Sequence, residues 1–388
     1  MRIAFLEPYP QSFYGAQRSL LRLSELLQEG GDEAVVVTPS EGVFSKASRL
    51  AGLPTHVLEL GSKARTYGDD FDDLRLAGKL QACGEVIDFS VRLSRWVREE
   101  EIEVLYANTR RAVLYSFLVN IFSDVPVLWG VRAEFSMDHF SGFAFRICDA
   151  IIANAQGILD SVSEEISRKG FEARVVHTGF DFEEVRSQIG RDPESALPEG
   201  VTTGPTVACV GSVCQRKGQI ELVEALPRVQ REHPSVNLLL AGAAQQGHSA
   251  YVGNVRDRLD ELALADSVHL LGHVEEIGSI YDQADLVVLP STSEGLPRAL
   301  IEALAFGTPV VATDVGGVRE IVQDEVCGTV IEDRNPETIA RAILDRLEAQ
   351  DGRLDYQRRR IELVESTFGL EGYRENFLDA VEMLTGRE

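Results

Sequence analysis

Two glutamates eight residues apart, Glu294 and Glu302, stand in the segment PSTSEGLPRALIE (290–302). An apolar run ends at Pro290, a polar stretch follows, and a helix is predicted to begin near Pro297, since proline is favoured in a first helical turn. That spacing leaves Glu294 in the loop before the helix and Glu302 about one and a half turns inside it. A helix N-terminus presents unpaired N–H groups and the positive end of its dipole, a site suited to a diphosphate. A carboxylate one turn further in could accept two vicinal hydroxyls, as on a ribose, and a carboxylate in the loop could reach a sugar. The plainer alternative is a capping acid at 294 and a solvated helix charge at 302. The residues alone leave both open.

Positioning such a site requires strands that end where the loops begin. Apolar runs recur along the chain at 2–8, 34–39, 56–60, 103–108, 126–131, 150–155 and 174–179, with helical patterns between most of them. One such pattern, after Gly15, carries leucines at 20, 21, 23, 26 and 27 and closes at Gly30-Gly31. The polar, Gly- and Pro-rich stretch 187–205 has no periodicity and reads as a linker. The alternation then restarts at 206–211, 236–242, 268–272, 285–290, 309–314 and 328–331. Repeated strand–helix–strand units predict parallel sheets covered on both faces. The expectation is therefore α/β: a Rossmann-like domain over 1–186, a linker over 187–205 and a second Rossmann-like domain over 206–370, facing each other across a deep cleft. Residues 371–388 hold a helix with Tyr373, Phe377, Ala380, Val381 and Leu384 on one face, expected to pack back on the first domain.

Composition excludes several classes. Of 388 residues, 62 are acidic and 38 basic, a net charge of −24 that argues against a free-standing nucleic-acid binder. Five basic residues are lysine (Lys46, Lys63, Lys79, Lys169, Lys217) and the rest arginine; an acidic, lysine-poor surface suits either a high-salt cytoplasm or an acidic mesophile with GC-rich codons. No apolar run is long enough to span a membrane, and the first residues lack a signal-peptide pattern, so a cytoplasmic location is expected. Cys83, Cys148, Cys209, Cys214 and Cys327 form no C-x-x-C pair, and reduced thiols are expected. The acidic run at 69–73 reads as a solvated loop rather than a metal site.

The second half resembles glycosyltransferase family 4, the retaining, nucleotide-sugar-dependent enzymes of the GT-B fold. The similarity runs through VGSVCQRKG (210–218), LLLAG (238–242), VHLLGHV (268–274), the long segment 281–322 that contains Glu294 and Glu302, and CGTVI (327–331). The first half is similar more loosely, through YGAQRSLLRLSELL (14–27), YANT (106–109) and HTGFD (177–181). The resemblance implies that Lys217 neutralises the leaving diphosphate, with Arg216 as a second cation, because Ser212 stands where the family carries an arginine. It implies that the Gly15 backbone N–H faces the phosphates, that His273 and Val274 hold the base by backbone contacts, and that Gly295, Leu296 and Pro297 meet the donor sugar and phosphates. Glu294 would grip the sugar and Glu302 the ribose. Gly15 could instead simply permit a tight turn.

One departure is prominent. Where many family members carry a histidine after the strand 126–131, this chain has Arg132, with Glu134 and His139 further on. Arg132 would be either a catalytic group for hydroxyls or phosphate or half of an ion pair with Glu134. His177 reads as structural. The expected function is transfer of a hexose-type sugar, with retention, from a nucleotide-diphosphate sugar to a glycan or lipid-linked acceptor. No metal cofactor is expected, and peripheral association with the inner membrane face is implied. A nucleotide-sugar epimerase or hydrolase on the same fold, and a non-catalytic sugar-nucleotide-binding module, are the alternatives.

Overall fold

The computed structural model describes residues 1–66, 75–133, 139–187, 201, 203–244, 249–349 and 354–386. The chain divides into two compact units, Met1–Gly179 with Glu371–Glu388, and Phe180–Leu370.

The first unit is built on a seven-stranded sheet: β1 (Arg2–Leu6), β2 (Glu33–Thr38), β3 (Thr55–Val57), β4 (Val104–Ala107), β5 (Val127–Val131), β6 (Ala150–Ala153) and β7 (Glu172–Val175), in the order β3-β2-β1-β4-β5-β6-β7. Every pairing is parallel. The central strands are continuous apolar runs because helices cover both faces. The helix Gly15–Glu29 buries Leu20, Leu23 and Leu27 against β1 and β2. The final helix, Leu370–Thr385, buries Tyr373, Phe377, Ala380 and Val381 in the same core. Phe377 meets the Tyr106 ring edge-on at 5.5 Å, and Arg374 fastens the helix to the Gly30 carbonyl and Asp32. The seventh strand sits earlier than the apolar run 174–179 suggests. It pairs with β6 over Glu172–Val175, and the Val176 N–H still donates to the Ala153 carbonyl at 2.8 Å, but β6 ends at Ala153, so the strand pairing stops there.

The second unit holds β8 (Thr206–Val210), β9 (Asn237–Ala241), β10 (Val268–Gly272), β11 (Leu286–Leu289), β12 (Val310–Thr313) and β13 (Gly328–Ile331), in the order β10-β9-β8-β11-β12-β13, again all parallel. The division between units falls at Gly179 and Phe180 rather than at 186. Phe180 donates its N–H to the Phe368 carbonyl, and Arg186, in the helix Phe182–Ser187, pairs with Glu365 and with the Ala305 carbonyl. These bonds carry residues 180–187 into the second unit.

Cys148, Cys209, Cys214 and Cys327 are buried free thiols and Cys83 is exposed. Burial pushes the Cys209 thiol up to about 12, so it behaves as a small core residue. Among the described residues, no helix is long and apolar enough to cross a membrane. The acidic run 69–73 and Glu134 lie outside the described residues.

Candidate functional site

In each sheet the strand order reverses beside the first strand, between β1 and β4 and between β8 and β11. Open α/β sheets bind ligands beyond the strand C-termini at such switch points, where neighbouring loops diverge. In the second unit the two loops at that point are Gly211–Gly218 and Pro290–Pro297.

Gly211 follows β8 with φ +148°, a conformation that favours glycine. A Cβ there would lie 3.3 Å from Lys217 Cε, so the bare glycine backbone makes room for the lysine stem. Lys217 ends a short 3₁₀ turn, Gln215–Lys217, and Gly218 follows at φ +71°. A Cβ on Gly218 would meet the Pro290 carbonyl at 2.3 Å, which locks the two loops together. The lysine Nζ lies 2.7 Å from Glu294 Oε1, with both side chains about nine-tenths buried (11% and 8% exposed). The more exposed Arg216 reaches the same oxygen at 3.1 Å and donates to the Ser293 carbonyl. Two cations thus converge on one carboxylate at the mouth of the switch point.

The helix that follows, Arg298–Ala305, has Pro297 as its N-cap. Glu302 is one turn in, on the same face as Arg298. Arg298 donates to Glu302 Oε1 at 3.0 Å, and the buried Tyr281 hydroxyl donates to Oε2 at 2.9 Å. Burial, then the neighbouring Glu302 charge, drives the Tyr281 phenol well above its ordinary pKa, so it stays a proton donor. Each Glu302 oxygen keeps a lone pair beyond these bonds. The solvated-charge reading of Glu302 therefore does not describe it: the carboxylate is oriented by two partners.

The remaining predicted residues distribute as follows. The exposed Ser212 gives its carbonyl to Gln219 Nε2 at 3.1 Å. Gly295 accepts the Gly317 N–H at 2.7 Å, and Leu296 and Pro297 are buried beneath the loop. His273 is exposed and Val274 half-buried, just after β10, the sheet edge two strands from β8. Gly15 opens its helix in the first unit, and Arg132 follows β5 there. The Arg132 Nε donates to Asn108 Oδ1 at 2.9 Å, and its guanidinium also meets the Tyr106 and Tyr373 hydroxyls.

Sequence reasoning passed over Tyr281 and Arg298, which orient Glu302, and Glu7, Gln17 and Asn108, which form a buried polar group at the β1/β4 switch point. A signal existed for Glu7: an acid placed directly after an apolar strand, with proline next, is an expensive residue to bury without a purpose.

The loop Glu294–Gly295 leans on Gly316, whose φ is +53°. A Cβ there would fall 2.3 Å from the Glu294 carbonyl and 2.6 Å from that of Gly295. Gly316→Ala is expected to destabilise the protein by about 1–3 kcal/mol and to displace Glu294 from Lys217. Denaturant melts and nucleotide titration check this; wild-type behaviour in both would show that the loop does not depend on that approach.

Comparison with known proteins bears on this arrangement. The model for glycosyl transferases group 1 matches residues 195–362, and that for glycosyltransferase family 4 matches 13–184. The chain is 28% identical to the lipopolysaccharide core biosynthesis mannosyltransferase LpsB of Rhizobium meliloti, over 58% of this chain and 61% of that one. It is 26% identical to the phosphatidyl-myo-inositol mannosyltransferase of Mycolicibacterium smegmatis, over 94% of this chain and 89% of that one. Of LpsB and several other relatives, the matched region spans between about a third and three-fifths of the length. Among solved structures, Alr3699/HepE of Anabaena in complex with UDP superposes with a TM-score of 0.79 at 22% identity, covering 99% of this chain and all of that one. A sucrose-phosphate synthase from Thermosynechococcus elongatus gives 0.76 at 18% identity over both whole chains. These likenesses establish the GT-B fold, and with two family models that together match nearly the whole sequence, the chain belongs to glycosyltransferase family 4.

Proposed function

We propose that the protein transfers a hexose, with retention, from a nucleotide-diphosphate sugar to a hydroxyl of a glycan or lipid-linked acceptor. The observation that carries this reading is the convergence of Lys217 and Arg216 on Glu294 at the β8/β11 switch point, with the oriented Glu302 one turn further along. Relatives named as mannosyltransferases of lipopolysaccharide core and of phosphatidyl-inositol support it, as do Anabaena structures that hold UDP and UDP-glucose on the same fold.

In this reading the donor diphosphate lies against Lys217, Arg216 and the start of the helix Arg298–Ala305, and Glu302 accepts the ribose hydroxyls. The anomeric C–O bond breaks with its electron pair passing to the diphosphate oxygen, where the two cations and the helix dipole stabilise the new charge. The acceptor oxygen bonds to the anomeric carbon from the same face, and its proton passes to the leaving phosphate oxygen. Glu294 balances the positive character of the ring. Lys217, released from Glu294 by the diphosphate, moves its charge by one contact.

A thermal-shift screen with UDP-, GDP- and ADP-sugars finds the donor, since a ligand at 100 times its Kd adds about 2.7 kcal/mol. Product analysis by NMR then reads the anomeric configuration. An inverted product overturns retention; an isomerised or free sugar without acceptor makes the protein an epimerase or hydrolase; binding without turnover makes it a binding module. In this reading Lys217 and Arg216 do at the diphosphate what a divalent metal would, so transfer is expected to persist in excess EDTA. Complete loss, restored by magnesium or manganese, would refute that.

A further inference from the structure

The β1/β4 switch point of the first unit holds a buried carboxylate that the proposed mechanism does not use. Glu7 follows β1 and is wholly buried. Its Oε2 accepts Asn108 Nδ2 at 2.6 Å; its Oε1 accepts the Tyr9 N–H at 2.9 Å and Gln17 Nε2 at 3.3 Å. Asn108 follows β4 and turns its other amide atom, Oδ1, to the Arg132 guanidinium. Gln17, itself buried, turns its Oε1 to the N–H of Tyr14, the N-cap of the helix that Gly15 opens. Each amide is fixed in one orientation by what it meets at both ends: its NH₂ faces the acid, its oxygen faces a donor. Arg132, Asn108, Glu7, Gln17 and the Tyr14 backbone thus form one directed chain.

We propose that Arg132 and Glu7 are positioning residues: opposite charges linked through Asn108, which stands between them, that hold the Pro8–Tyr14 loop and the start of the Gly15 helix in place. The part of this concerning catalysis rests on the transferase reading and on the role that the family resemblance implies for Gly15; the pairing of charges itself does not. Three donors surround the Glu7 oxygens, a pattern that favours the ionised form over the neutral one, which keeps less acceptor capacity. Removing one of the two charges takes away the opposite charge that faces the other across Asn108, whereas removing both removes that imbalance, so the two substitutions should be coupled.

The charged group that faces Glu7 is Arg132, from the end of β5; from β4, the loop and the helix it meets Asn108, Tyr9 and Gln17, and beyond Arg132 lie the Tyr106 and Tyr373 hydroxyls. Burial raises the Glu7 pKa above the ordinary carboxylate range, against the pull of Asn108, Tyr9, Gln17 and Arg132. A raised folded-state value favours the native protein below the ordinary carboxylate range, and that contribution is lost as pH rises through the folded value. Arg132→Gln removes a lowering influence, so the folded value climbs further. The variant should therefore lose more stability as pH increases, while the loop, which needs the ionised acid, is held less well as pH falls.

The test is a double-mutant cycle of R132Q and E7Q, melted from pH 5 to pH 8, with hydrogen exchange read at the Tyr9 and Tyr14 amides. The expected result is a Tm deficit of R132Q that widens with pH and loses its pH dependence in the E7Q background. E7Q alone should raise exchange at Tyr9 and Tyr14 at least about tenfold, since a glutamine NH₂ confronts the same donors, while β2 amides stay protected. If R132Q does not fold, the E7Q exchange pattern decides: faster exchange at Tyr9 with Tyr14 unchanged breaks the relay through Gln17 and overturns the proposal. A deficit independent of pH, or a pH dependence that persists in the E7Q background, also overturns it. With UDP-glucose as donor, R132Q should lose more kcat at pH 6 than at pH 8; a loss equal at every pH makes Arg132 a substrate ligand instead. A wild-type protein inert towards every sugar nucleotide sinks the transferase reading, and the melts and exchange still judge the pair.

Discussion

Lys217→Ala is expected to lower kcat by about 10²- to 10³-fold, the usual loss when one preorganised stabiliser of a departing anion is removed. Lys217 is about nine-tenths buried and shares Glu294 Oε1 with the more exposed Arg216. Breaking a buried pair on one side typically costs about 3–5 kcal/mol. Arg216 at 3.1 Å still partners Glu294 in the variant, so the fold should survive with a lower Tm. The kinetic loss should exceed the loss in donor affinity, because the diphosphate gains charge only as the anomeric bond breaks. Lys217→Arg should restore only part of the rate. The lysine stem lies over the bare Gly211 backbone, 3.3 Å from where a Cβ would stand, and a planar guanidinium cannot follow the same path to Glu294. Steady-state kinetics beside a thermal melt measure both effects. A kcat within threefold of wild type in the alanine variant would remove Lys217 from the chemistry.

Glu302→Gln and Glu294→Gln should fail in different ways. Glu302 has one oxygen on Arg298 and the other on Tyr281, and in the proposed reading its remaining lone pairs take a part of the donor that does not react. Glutamine must turn its NH₂ towards one of those donors, and Arg298 cannot accept it. Losing charge-assisted bonds costs about 1.5–3 kcal/mol, or roughly 10- to 150-fold, and this should appear in donor KM and in nucleoside diphosphate affinity with kcat less affected. In the proposed reading Glu294 meets the transferred sugar. Glu294→Gln should lower kcat and leave nucleoside diphosphate binding intact, because Lys217 is then free for the diphosphate. Calorimetry with UDP, GDP and ADP beside steady-state kinetics separates the two. Equal losses of nucleotide affinity in both variants would end this division of labour; no loss in either would make the motif structural.

The site in the second unit was largely legible in the sequence because its parts are local. Pro297, Glu294 and Glu302 lie within one loop and one helix, so spacing alone put one acid before the helix and the other a turn inside it. Gly211, Lys217 and Gly218 likewise belong to one turn. The site in the first unit was not legible for the opposite reason. Glu7, Asn108 and Arg132 come from the ends of three different strands, and only the strand order β1-β4-β5 makes those ends neighbours. A histidine replaced by arginine at 132 drew attention to a substrate contact, but the side chain is turned to Asn108 and two tyrosine hydroxyls.

By itself the sequence determined the two doubly wound halves, the helix starts at Gly15 and after Pro297, and the family, because hydrophobic period and turn chemistry are written in neighbouring residues. The tertiary structure alone decided who meets whom. Lys217 and Glu294 are 77 residues apart, and Glu7 and Asn108 are 101 apart, yet each pair is in hydrogen-bond contact. It also decided where the units divide, since the bonds of Phe180 and Arg186 run to residues more than a hundred positions away. Such contacts follow from the order in which strands enter a sheet and from the need of each buried charge for a partner, and neither is recorded in any short stretch of the chain.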